Sequence, residues 1–157
     1  SNIMYAFILQ PFWTRMRPDI NKFQNPSVAG HTNGRSLAKL YGILANGGKF
    51  NGKQLMSPAT IALLGEGVKS GRDKAVRMQV TYGRGFSIIN SPKKSVMFGT
   101  PGMGGQMGYA DPKYKIGIGY TSNYLSWTGF KDHRYLPLEK AVYDVIDNLK
   151  NKPKKSK

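Results

Sequence analysis

Apolar positions along this chain recur at two spacings, one helical and one strand-like. Leu37, Leu40, Tyr41 and Leu44 fall at i, i+3, i+4 and i+7, one face of an α-helix. Thr32 or Asn33 can cap that helix through a side-chain oxygen. Asn46-Gly47-Gly48 stops it, since glycine tolerates the left-handed conformation past a helix end. Asn51-Gly52 then reads as a tight turn. Ser57-Pro58 opens a second, short helix ending near Leu64, with serine as cap and proline at the first helical position. The clearest stripe comes last. Leu138, Ala141, Val142, Val145, Ile146 and Leu149 make one apolar face of a helix that starts near Pro137.

Between the second and last helices the pattern turns β-like. Gln79 to Asn90 is a candidate strand, and Ser91-Pro92-Lys93-Lys94 is a turn. Ser95 to Thr100, Gln106 to Ala110 and Lys115 to Ser122 follow as strands, the last two joined by the turn Asp111-Pro112-Lys113-Tyr114. Connections this short favour an antiparallel meander. Residues 65–78 are polar and read as loop, while residues 1–31 have no clean period and read as an irregular packed segment. A striped helix after an antiparallel sheet predicts an α+β fold, with the stripe laid on one sheet face.

Composition narrows this picture. The 157 residues suit one domain, 1–149, followed by a lysine-rich tail, 150–157, expected to be disordered. There is no cysteine, which excludes disulfides and cysteine-held metals and leaves the compartment unassigned. The net charge is +16, and five of the 24 basic residues lie in the tail. Attraction to nucleic acid or an anionic membrane surface is one reading of that charge. A solvated surface with a frayed tail is the plainer one, so nucleic acid is not the expected partner. Met4 to Leu9 is apolar but too short to span a bilayer, so no transmembrane segment is expected. The abrupt opening on Ser1 without Met suggests a chain cut from a longer protein.

Three ordered phrases carry a resemblance. The first is Asn33 to Tyr41 with Asn46-Gly47-Gly48, and the second is Lys53-Gln54-Leu55-Met56-Ser57-Pro58-Ala59-Thr60. The third is Phe98-Gly99-Thr100-Pro101-Gly102-Met103-Gly104-Gly105-Gln106, followed by Ala110-Asp111-Pro112 and Gly117 through Asn123. Together they resemble the C-terminal portion of the serine β-lactamase-related family, in the branch of class C β-lactamases, penicillin-binding-protein-like proteins and related esterases. The resemblance implies a β-lactamase/transpeptidase-like α+β fold, present in part, with a C-terminal helix on an antiparallel sheet.

In complete members the resemblance implies acyl transfer. A serine of Ser-x-x-Lys attacks an amide or ester, and the lysine and a tyrosine of Tyr-x-Asn manage its proton. A third motif, Lys-Thr-Gly or His-x-Gly, lies on a sheet-edge strand and faces the substrate. Here Thr100-Pro101-Gly102 matches that motif, and the backbone N–H of Met103 matches half of the oxyanion hole. Substrate contact then falls to Thr100, Gly102, Gly104, Gly105 and Gln106, and no cofactor or metal is expected. Thr100 departs from the pattern, since threonine offers neither fixed charge nor titratable ring. Pro101 also lacks an N–H.

Several strings mimic the missing motifs. Ser36-Leu37-Ala38-Lys39 fits Ser-x-x-Lys, but the resemblance places its helix well after the nucleophile helix. Ser91-Pro92-Lys93-Lys94 fits too, in a turn, and Lys69-Ser70-Gly71 fits Lys-[Ser/Thr]-Gly in a polar loop without strand pattern. No Tyr-x-Asn occurs among the nine tyrosines. His31 and His133 are far apart without clustered carboxylates, which argues against a metal site. Tyr120 and Tyr124, near Trp127, could line a pocket beside the third motif, but packing under the terminal helix is the expected arrangement. The expected function is the C-terminal segment of a serine hydrolase, inactive alone and completed by an N-terminal half or an oligomeric partner. The alternatives are a non-catalytic relative with an assembly or ligand-binding role, and a basic surface-binding module.

Overall fold

The computed structural model describes residues 30–102, 104–124, 126 and 132–151. The irregular segment expected before residue 30, the tail from residue 152, Met103 and Trp127 lie outside the described residues. Among the described residues, those within 33–69 and 81–151 form one compact unit, and 70–80 group with 30–32 in a second.

Helix α1, Gly34–Ala45, starts where Asn33 accepts the Ser36 N–H at 2.9 Å, so the sequence-assigned cap holds. It ends at Asn46, and Gly47 and Gly48 follow with φ of 81° and 75°. Strands β1, Lys49–Phe50, and β2, Lys53–Gln54, make a small hairpin around Asn51-Gly52, both with positive φ. Helix α2, Pro58–Leu64, begins with the Ser57 hydroxyl accepting from Thr60 N–H at 3.1 Å.

Six strands form the main sheet in sequence order: β3 Lys69–Arg72, β4 Gln79–Tyr82, β5 Ser87–Asn90, β6 Val96–Gly102, β7 Gln106–Asp111 and β8 Ile116–Tyr120. The expected meander from β5 to β8 is present, each neighbouring pair antiparallel. Two expectations are corrected. Gln79 to Asn90 is two strands, because Gly83 to Phe86 turns between them and Gly85 takes φ of 85°. Lys69-Ser70-Gly71 belongs to a strand rather than a loop. In the second unit, Asp73 Oδ1 accepts the N–H groups of Ala75 and Val76 at 2.7 and 2.9 Å and shapes the turn there.

The sheet separates two apolar clusters. On one face Phe98 and Ala110 pack with Tyr41, Leu44 and Ala45 of α1 and with Ile61 and Leu64 of α2. On the other, Met97, Met107 and Tyr109 pack with Tyr135 and with Tyr143 of α3, Leu136–Asn151. Alternation along β6 and β7 sends neighbouring side chains to opposite clusters. Helix α1 comes close enough to β8 that a β-carbon on Gly117 would strike Gly42 N and Ala38 O. That contact turns Gly34, Ala38 and Gly42 toward the sheet and leaves Leu40, expected in the core, 52% exposed.

The terminal helix also seats differently than its stripe predicts. Its buried positions are Glu139 and Tyr143, with Ile146 partly buried, while Leu138, Val142, Val145 and Leu149 are exposed. The seated face is offset from the apolar stripe by roughly a quarter turn. The cause is tyrosine chemistry. Tyr143 buries a large ring against Tyr114, centroids 5.4 Å apart, and its hydroxyl donates to the buried Asp111 at 2.7 Å.

Candidate functional site

The segment singled out by sequence forms the end of β6 and the turn into β7. Thr100 pairs with Gly108, Pro101 with Met107 and Gly102 with Gln106. On the other side, the β5 register stops at Gly99, paired with Ser87. By strand order β6 is interior, yet from Thr100 to Gly102 its β5-facing side is a local edge. Proline is tolerated at such an edge. Thr100 is exposed and shares the sheet face of Phe98. The nearby Tyr41 hydroxyl has its pKa raised by burial, with hydrogen bonds from Thr100 opposing part of that shift.

The turn is built by glycine. Gly104 and Gly105 have φ of 86° and 90°, and the Gly105 N–H donates to Gly102 O at 3.2 Å. Gln106 reaches the next segment with both ends of its amide. Its Oε1 accepts from Ser122 N at 2.8 Å, and its Nε2 donates to Ser122 O at 3.0 Å. Gly104 also bridges to Ser126, whose N–H donates to Gly104 O at 3.0 Å. Thr100 is exposed and Pro101, Gly102 and Gln106 are half-buried, whereas Gly104 and Gly105, named as substrate-contacting by the resemblance, are buried; Met103 between them is outside the described residues.

An ion pair just before α3 supports that turn. Asp132 is fully buried, and Arg134 donates to it from Nε at 2.9 Å and from Nη2 at 2.6 Å. The guanidinium holds the Asp132 carboxyl far below the usual carboxylate range. Arg134 also donates to Gly104 O at 3.2 Å, Tyr124 O at 2.8 Å and Ser122 Oγ at 3.3 Å. Sequence reasoning passed over this pair. Its only local signal is an acid and a base two positions apart.

The mimics are accounted for elsewhere. Ser36 is exposed in the first turn of α1, and the Lys39 ammonium lies 4.4 Å above the Phe50 ring. Ser91 is buried in the β5–β6 hairpin, bonded to Ser95 Oγ at 2.6 Å, while Lys93 pairs with Asp147 at 2.6 Å. Tyr120 packs beside Tyr135 as expected, with centroids 5.8 Å apart, but Tyr124 is 72% exposed beside Arg134, which corrects its placement. Among the described residues, no group of His, Asp and Glu could hold a metal, and no helix is long and apolar enough to cross a membrane.

Comparison with known proteins extends this geometry. The family model described as Beta-lactamase matches residues 6–141. The solved family VIII carboxylesterase is 34% identical, with a TM-score of 0.67 over 71% of this chain and 31% of its own. A penicillin-binding-protein homolog from Caulobacter crescentus is 30% identical, with a TM-score of 0.64 over 71% of this chain and 31% of its own. EstA from Arthrobacter nitroguajacolicus Rue61a shares the fold, with a TM-score of 0.70 at 22% identity over 86% of this chain and 37% of its own. No curated protein matches. The chain spans about a third of the length of the solved chains it resembles. It belongs to the serine β-lactamase-related family and carries part of the β-lactamase/transpeptidase-like fold.

Proposed function

We propose that this chain supplies the third-motif wall of a serine hydrolase that acts on esters or amides, and that alone it performs no turnover. The observation that carries the reading is the local edge at Thr100 to Gly102, beside the glycine turn Gly104-Gly105. An extended acyl substrate can pair along such an edge. The N–H of Met103 is assigned as one oxyanion donor, with Gln106 bracing the strand that follows. The resemblance puts the nucleophile helix before the matched phrases, and the lysines of two mimic strings are engaged elsewhere, Lys39 over the Phe50 ring and Lys93 with Asp147. The nucleophile is therefore assigned to further chain or to a partner. The exposed stripe of α3 supports completion of the fold in that way.

Because a carboxylesterase is among the similar structures, a short-chain ester is the first substrate to try. The test is hydrolysis of a short-chain chromogenic ester and a chromogenic β-lactam by the longer protein that contains this chain. Ester turnover with an acyl adduct on a serine outside residues 1–157 is expected. Absence of both turnover and adduct would favour a second reading, a non-catalytic relative that binds ligand. Thr100, where the family carries lysine or histidine, supports that alternative.

A further inference from the structure

Arg134 has five guanidinium N–H donors, and five acceptors meet them: Asp132 Oδ1, Asp132 Oδ2, Gly104 O, Tyr124 O and Ser122 Oγ. A fully satisfied planar fork admits one orientation, which a lysine with three donors on a flexible stem cannot copy. The fork ties three points of chain together: the turn after β6, the segment 122–126, and the residues entering α3. Gly105 has no side chain because the Asp132 carboxylate fills that space. The carboxylate is itself wholly buried, so removing the guanidinium would leave a charge unpaired in the interior.

We propose that Arg134 is a positioning residue that locks Gly104 and Gly105, at the turn into β7, in a single conformation. This rests on the hydrolase reading only for its catalytic consequence, since the lock is a property of the chain itself. Such a lock matters because donors aimed in advance at a developing oxyanion need no reorganisation during reaction.

The test uses amide exchange of the 157-residue chain by NMR, in wild type and in Arg134→Lys. The reporters are the Gly105 N–H, bonded to Gly102 O, and the Ser126 N–H, bonded to Gly104 O. Tyr109 and Ile118, paired across β7 and β8, serve as references. The lock predicts exchange at least about ten-fold faster at Gly105 and Ser126 with the references unchanged, a local opening rather than global unfolding. Unchanged reporters, or equal acceleration at Tyr109 and Ile118, would overturn it.

Should Arg134→Lys not fold, the wild-type guanidinium decides. Resolved, slowly exchanging Arg134 Nη protons support the lock, and averaged signals like those of the exposed Arg72 overturn it. In the longer protein, Arg134→Lys should lower kcat for the ester about ten-fold with KM within two-fold. Equal kcat contradicts the positioning role. A wild-type longer protein without hydrolysis contradicts the hydrolase reading instead and leaves the exchange result to stand.

Discussion

The Asp132 carboxylate occupies the place that a β-carbon on Gly105 would need, so the glycine and the buried acid are fitted to each other. Gly105 also holds φ of 90°. Gly105→Ala should cost about 2 kcal/mol or more, from strain and the displaced ion pair together. Gly47→Ala separates the two causes, because Gly47 has φ of 81° and nothing within 4 Å of its missing β-carbon. It should cost only about 1 kcal/mol. Urea unfolding of both variants checks this, and equal losses would refute the fit.

At the far end of the sheet, the buried Asp111 takes hydrogen bonds from Ser95 Oγ and Tyr143 OH. Tyr143→Phe keeps the edge-to-face contact with the Tyr114 ring but removes one donor. The expected loss is about 1–3 kcal/mol, the cost of a buried acceptor left short. A loss below about 0.5 kcal/mol would mean that the hydroxyl does not anchor α3.

Glu139 gives a pH signature. Burial raises its carboxyl above the ordinary range, and the Tyr135 hydroxyl, donating at 2.9 Å, opposes part of that shift. The unfolded chain therefore loses this proton first, at about pH 4.3, and stability falls as pH rises through the native pKa. Glu139→Gln keeps an acceptor for Tyr135 and cannot ionise. Its unfolding midpoint should exceed wild type at pH 7 and converge with it near about pH 3. The same offset at both pH values would show that charge is not the cause.

The stripe of α3 should behave as surface in this chain. Val145 and Leu149 are 56% and 62% exposed, so Val145→Lys and Leu149→Lys should each change stability by within about 0.5 kcal/mol. Ile146→Ala, which removes packing on the Met97 cluster, should cost about 2 kcal/mol. The reverse ranking by thermal unfolding would restore the stripe as the seated face.

What sequence could reveal tracks how local the physics is. Asn33 and Ser57 cap their helices with bonds three residues away, so α1 and α2 were legible. The meander was legible from its short turns. The seat of α3 was not, because counting apolar residues undervalues tyrosines whose hydroxyls find Asp111 and Glu139. Strand β3 was missed because a polar edge strand shows no alternation. The motif segment Thr100 to Gln106 was found through the family resemblance, but its brace was not. Two acceptors of Arg134 are backbone carbonyls, of Tyr124 and of Gly104, which leave no mark in side-chain composition.

The proposed function assigns Thr100 to Gly102 to a substrate-facing edge and the nucleophile to chain outside residues 1–157. Intact-mass spectrometry of the purified 157-residue chain, after incubation with a chromogenic β-lactam and a short-chain ester, tests it directly. Unchanged mass and no chromophore release are the expected result. A stoichiometric acyl adduct, above all one mapped to Ser36, would contradict it.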